Sequence, residues 1–195
     1  MMLWRRMMLF AVSVMLGACS SMRIVDNEVR SFGQTPPPAP QSHSYQLQRL
    51  LSQKNETFDP IAQAVNLALT KLGLHEVSKN HDWVATVHWT EQQLPRAPWE
   101  PAPSPFEDLI WLNSGGAGVG LSWRYPAIDL PWYERSLSLI LRDARSDSVV
   151  FETQVRHDGR WSDTAAVLPA MLQAALHDYP QGQPTLQIFN IEIPR

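Results

Sequence analysis

One thiol, three neighbouring histidine–aspartate pairs and a run of glycines are the parts of this 195-residue chain whose residue types could do chemistry. A serine or cysteine nucleophile needs a base beside it and an acid to orient that base. No Gly-x-Ser-x-Gly stretch supplies one here. The pairs His81-Asp82, His157-Asp158 and His177-Asp178 set an imidazole next to a carboxylate in sequence. Neighbours on a strand point to opposite faces, and on a helix they diverge by about 100°, so the pairs are not expected to be preformed dyads. An enzyme would instead have to bring two or more of Asp82, His88, Asp143, His157 and Asp158 into one cleft as the chain folds. Zinc would call for histidines at short helical spacing or for cysteine pairs; neither occurs, and no metal or cofactor is expected. The run Gly115-Gly116-Ala117-Gly118-Val119-Gly120 has the composition of a phosphate loop but lacks the following Lys-Ser or Lys-Thr. Leu121-Ser122-Trp123 after it reads as strand rather than helix start, so the glycines are expected to form a loop.

The thiol is the informative group. Cys19 is the only cysteine, and it follows Leu16-Gly17-Ala18, an apolar run from Met7 to Leu16 and the pair Arg5-Arg6. The basic pair would hold the start of the chain in the cytoplasm, and the small residues would admit a peptidase. As a helix the apolar run spans about 15 Å, half the hydrocarbon thickness, so it is too short for a permanent span. This stretch resembles the lipobox of bacterial lipoproteins. The resemblance implies residues 1–18 as signal peptide, a diacylglycerol thioether on Cys19, cleavage after Ala18 and acylation of the new amine. Ser20, where an aspartate would tend to retain such a protein at the inner membrane, implies the outer membrane and the periplasmic side. Three acyl chains would hold the protein there durably, since each buried methylene contributes about 0.8 kcal/mol.

With Cys19 committed to lipid, no internal disulfide is available to the mature chain. Loss of Arg5 and Arg6 takes the 16 basic residues to 14 against 19 acidic ones. An acidic balance without a Lys or Arg run argues against nucleic acid as partner and leaves anchoring to the lipid rather than to charge.

The mature length suits one domain, residues 24–195, on a short tether, residues 19–23. Ile24 to Phe32 and Ser44 to Leu51 are expected strands, separated by a stiff proline-rich connection from Gln34 to Ser42. The spacing predicts a helix from Pro60 to Leu72, with Asp59 as N-cap, Gly73 ending it, and Ile61, Val65, Ala68, Leu69 and Leu72 on its apolar face. Trp83 to Thr90 alternates as a strand, burying Trp83, Ala85, Val87 and Trp89. Ser136 to Asp143, with Leu137, Leu139 and Leu141 inward, turns through Arg145 to Ser148 into Val149 to Arg156 as an antiparallel hairpin. A second helix is expected from Pro169 to Asp178, with Thr164 to Leu168 a looser turn before it because proline breaks a helix interior. Thr185 to Ile193 is a last strand whose apolar side switches at Phe189, which a bulge or an edge position would explain. These elements imply an α+β fold: a two-layer sandwich of a mainly antiparallel sheet with two helices packed on one face.

The segment from Pro95 to Pro131 holds seven prolines, four glycines and Trp99, Trp111 and Trp123, with Trp132 just beyond. Long loops inside compact domains are usually functional or disordered. Tryptophans there either fold back over the sheet, contact a partner, or rest at the lipid headgroups with the ring dry and the N–H wet.

The order of several short motifs resembles the bacterial lipoproteins of the domain-of-unknown-function 4136 family. These are the Cys19 motif, Ser44-Tyr45, Ala68-Leu69-Thr70-Lys71-Leu72-Gly73-Leu74, Leu139-Ile140-Leu141-Arg142-Asp143, His157-Asp158-Gly159-Arg160-Trp161 and Tyr179-Pro180. The resemblance spans nearly the whole mature chain and implies an envelope lipoprotein of α+β type, with no catalytic residue, cofactor or substrate to carry over. The function expected is a noncatalytic binding or scaffolding role, held to the membrane by lipid on Cys19, with an envelope protein as partner. The alternatives are an enzyme acting on cell wall or lipid, or a carrier of a small apolar ligand in a cavity lined by Leu137, Leu139 and Leu141.

Overall fold

The computed structural model describes residues 22–34, 43–100 and 130–194. They form an α+β fold of seven strands and two α-helices. The strands are β1 (Met22–Gly33), β2 (Ser44–Gln48), β3 (His75–Glu76), β4 (Trp83–Leu94), β5 (Trp132–Asp143), β6 (Val149–Gly159) and β7 (Gln187–Pro194); the helices are α1 (Asp59–Lys71) and α2 (Thr164–Ala175). All seven strands join one sheet in the order β3-β2-β4-β5-β6-β1-β7.

The larger part of this sheet is antiparallel, as its hairpins imply. Leu139 pairs with Val87 on one side and Thr153 on the other, both antiparallel. A register shift between Leu141 and Arg142 opens the β5–β6 turn. The other end departs from expectation, because β2 runs parallel to both β3 and β4. Parallel neighbours need a crossover, and α1 supplies it between β2 and β3. Two residues of β3 carry too little pattern to stand out in a sequence.

β1 begins at Met22, two residues earlier than expected, so Met22 and Arg23 belong to the strand rather than to a tether. Ser20, Ser21 and most of the proline-rich connection lie outside the described residues. Strict alternation buries Val25, Asn27, Val29 and Ser31 and exposes the residues between them. β7 alternates without a bulge, and its place at the end of the sheet accounts for the apolar residue on the wrong side: Ile188 is exposed at the edge while Phe189, Ile191 and Ile193 pack on the core.

Phe58, not Asp59, occupies the N-cap of α1, and Asp59 is the first residue in the helix. Asn55 closes the preceding turn, its side-chain oxygen accepting from the Phe58 N–H at 3.1 Å. Ile61, Ala62, Val65 and Leu69 are buried, whereas Leu72 sits after the last turn and is exposed. Gly73 then takes a φ of +83°, the left-handed conformation expected of it.

α2 corrects the expected start. It runs from Thr164 to Ala175 with Pro169 inside it. Pro169 is the sixth helical residue, so its ring forfeits one bond to the Ala165 carbonyl close to the helix start and projects toward solvent. Val167, Leu168, Ala170, Met171, Leu172, Ala174 and Ala175 are all buried in the single core, and that burial outweighs one lost bond.

Candidate functional site

Five strand ends meet at one end of the sheet. β1 starts there, β7 ends there opposite it with Pro194 paired to Met22, β4 finishes at Leu94 opposite Trp132 at the start of β5, and β6 finishes at Gly159 opposite Tyr133. This convergence sets Trp99, Trp132 and Trp161 around a depression of about 690 Å³ completed by Asp26, Leu130, His157, Asp158 and Arg160. The Trp99 ring stands edge-on to Trp132, centroids 4.7 Å apart at 80°. The Trp132 indole N–H donates to the Asp158 carboxylate at 3.0 Å, which fixes that ring. Trp99 is 66% exposed. Arg160 donates to Glu100 at 2.9 Å and ties the chain after β4 to the end of β6.

Behind the depression, a polar row crosses the inner face of the sheet. Glu91 pairs with Arg135, Arg135 with His157, and one residue beyond the Glu28–Arg156 pair the register brings Asn27 to His157. Arg135 is buried and donates through Nη2 to Glu91 at 2.9 Å and to the Trp161 carbonyl at 2.8 Å. Arg23 lies 4.9 Å from the Trp161 ring centroid and bonds Asp163, which holds the Asp163 carboxyl below its ordinary value, first through that hydrogen bond and then through the guanidinium charge. His157 has its Nδ1 2.7 Å from the Asp26 carbonyl. A carbonyl can only accept, so Nδ1 carries the proton and Nε2 points inward, buried, toward Gly159. Among the described residues, these polar side chains brace the aromatic end from below.

Of the residues that an enzyme would have to bring into one cleft, His88, His157 and Asp158 border one trough, while Asp82 and Asp143 lie apart. Asp82 sits at the opposite end of the sheet, where the Ser44 backbone N–H and then its hydroxyl lower the carboxyl's pKa. Asp143 closes the β5–β6 turn, accepting from the Ser146 and Arg145 N–H groups, and is lowered by the same bonds, that of Ser146 foremost. His88 projects from the middle of β4 on the outer face, in a polar trough of about 700 Å³ that His157 and Asp158 also border, with Gln92, Ser136, Gln154 and Arg156. His177 corrects the expectation for adjacent pairs: α2 has already ended, the backbone turns, and its Nδ1 comes within 2.9 Å of Asp178 Oδ1 while its ring rests on Phe189. Leu137, Leu139 and Leu141 are buried in the core. Among the described residues no three His, Cys, Asp or Glu side chains are grouped so as to hold a metal ion.

Of the site residues read from sequence, Trp99 and Trp132 are brought together; Cys19, Trp111, Trp123 and the glycine run lie outside the described residues. Trp161, Asp26 and Arg160 were not singled out in the sequence as site residues. Trp161 closes the stretch His157-Asp158-Gly159-Arg160-Trp161, and its position just past a strand end was the available signal.

No family model and no curated protein matches this chain. Solved structures do resemble it in fold. A PDZ domain protein from Parabacteroides distasonis aligns with 88% of this chain at 12% identity and a TM-score of 0.51, the match covering 39% of that protein. Two dodecamer structures of PelC from Paraburkholderia phytofirmans, one of them a variant, align at 12% identity with TM-scores of 0.48 and 0.47, over 80% and 77% of this chain and 99% and 94% of theirs. At that identity the Parabacteroides protein shares a fold with this chain and nothing finer.

Proposed function

We propose that this protein is a lipoprotein of the outer membrane, anchored through Cys19 and facing the periplasm, that binds or scaffolds another envelope protein without catalysis, by strand addition along β7. The observation that carries the reading is the open edge. Among the described residues β7 is bonded on one side only, to β1, over eight residues, whereas the opposite edge strand β3 has two. An unpaired ladder of that length is a template for an extended segment, with side-chain pockets setting which one fits. Exposed Ile188 and Leu186 offer apolar contacts beside the ladder. In the same reading the fold is a two-layer sandwich, α1 and α2 covering the face of the sheet that carries Val25, Ala85, Leu139 and Val155. The chain takes its place beside the domain-of-unknown-function 4136 lipoproteins.

A photo-crosslinking residue at Ile188, in the full lipidated protein in its native envelope, tests the reading. Adducts with a discrete partner are expected from Ile188 and not from Leu67, an equally exposed position on α1. Equal, diffuse labelling from both positions would remove β7 as the binding edge.

A further inference from the structure

Met22 opens β1 three residues after Cys19, a reach of at most about 11 Å. At the same end Trp99 is 66%, Leu130 48%, Ile24 56% and Met22 42% exposed. Apolar side chains this open, grouped at one end, mark a contact surface rather than a solvated one. We propose that this end rests on the bilayer that holds the acyl chains, with Trp99 and Leu130 at headgroup depth and the sheet rising from the membrane. The inference rests on acylation of Cys19 and goes further, since a lipid tether alone would leave the domain free to tumble.

Two features favour a lipid surface over a protein partner here. Met22, three residues after the anchor, and the exposed Trp99 lie at one end, so anchor and ring are both satisfied when that end faces the bilayer. Trp132 is held by its bond to Asp158 and by the Trp99 ring, which leaves Trp99 as the outward ring, apolar on its faces with one N–H for headgroup or water. Glu100 at the rim is paired with Arg160, whereas Asp158 and the exposed Asp26 keep their charge, so apolar side chains rather than charge carry the contact.

Spin labels on the lipidated full chain test this in vesicles of phosphatidylethanolamine and phosphatidylglycerol. One label is placed by Leu130→Cys at the aromatic end, the other by Ala144→Cys in the β5–β6 turn, a strand length of about 35 Å away. Collisions with oxygen, which partitions into lipid, are compared with collisions with a water-soluble nickel chelate. The expected result is an oxygen-to-nickel ratio several-fold higher at Leu130→Cys than at Ala144→Cys. Equal ratios, or a Leu130→Cys label shielded from both reagents as beneath another protein, would overturn the proposal. Flotation of the same vesicles reports the anchor separately. Protein that floats with equal ratios keeps the anchor and loses the orientation, and protein that fails to float loses both.

Discussion

Arg135 on β5 and Glu91 on β4 face each other across the inner side of the sheet, Nη2 2.9 Å from Oε1, with the guanidinium buried and the carboxylate reaching partly into water. The two partners are therefore not equivalent. Removing Glu91 strands a buried cation, whereas removing Arg135 leaves a carboxylate that water and the Thr164 hydroxyl can serve. Glu91→Ala is expected to cost about 3 kcal/mol, while Arg135→Met, which refills the volume, costs distinctly less. Urea unfolding of both variants checks the order; a larger loss for Arg135→Met would contradict it.

Two glycines with similar backbone angles should respond differently. Gly73 has φ +83° and open space where a Cβ would stand, so Gly73→Ala carries only the conformational cost of about 1 kcal/mol. Gly182, with φ +73°, would place its Cβ 2.4 Å from the Gly33 nitrogen, and backbone on both sides cannot yield cheaply. Gly182→Ala is expected to lose more than about 2 kcal/mol. Thermal unfolding midpoints compare the two directly.

Gln53 is buried in the 3-10 turn Leu51–Gln53 and donates through Nε2 to the Val87 carbonyl at 2.7 Å, while its Oε1 accepts from the Leu50 N–H at 3.0 Å. β2 ends opposite Thr86, so this side chain takes over where strand pairing stops. Gln53→Leu leaves both backbone groups unpaired and should cost about 1–3 kcal/mol, with faster hydrogen exchange at Leu50.

Asp163 gives the protein part of its acid sensitivity. Its carboxyl is held below the ordinary 3.8 by Arg23, so the stabilisation is complete above that value and is lost as pH falls through the lower folded-state pKa. Asp163→Asn should reduce stability at neutral pH and flatten the decline below about pH 4. Unfolding free energies measured from pH 6 to pH 2 check the slope; an unchanged slope would contradict the role given to Arg23.

Sequence patterning disclosed those parts of the fold that depend on one element's own burial. The 2-residue alternation of Trp83, Ala85 and Val87 and of Leu137, Leu139 and Leu141 is read correctly because a strand buries one face. The parallel pairing of β2 escaped because register depends on partners distant in sequence, and β3 is too short to signal. The α2 start is not legible locally because the penalty at Pro169 is a property of the sequence, whereas the burial of Met171 and Leu172 that outweighs it exists only in the fold. At the candidate site Trp99 and Trp132 were legible as tryptophans flanking a loop. Trp161 joined them only once the ends of β1, β4, β5 and β6 were set side by side, and Arg135 and Asn27, polar residues buried among strands, carried no outward sign of their row.

The proposed attachment through Cys19 underlies both the proposed edge-binding role and the proposed orientation on the membrane, and intact mass of the protein extracted from its own envelope tests it most directly. The expected species is a chain beginning at Cys19 that carries a diacylglycerol thioether and an acylated amine. A chain cut elsewhere, with an unmodified thiol at residue 19, would contradict it.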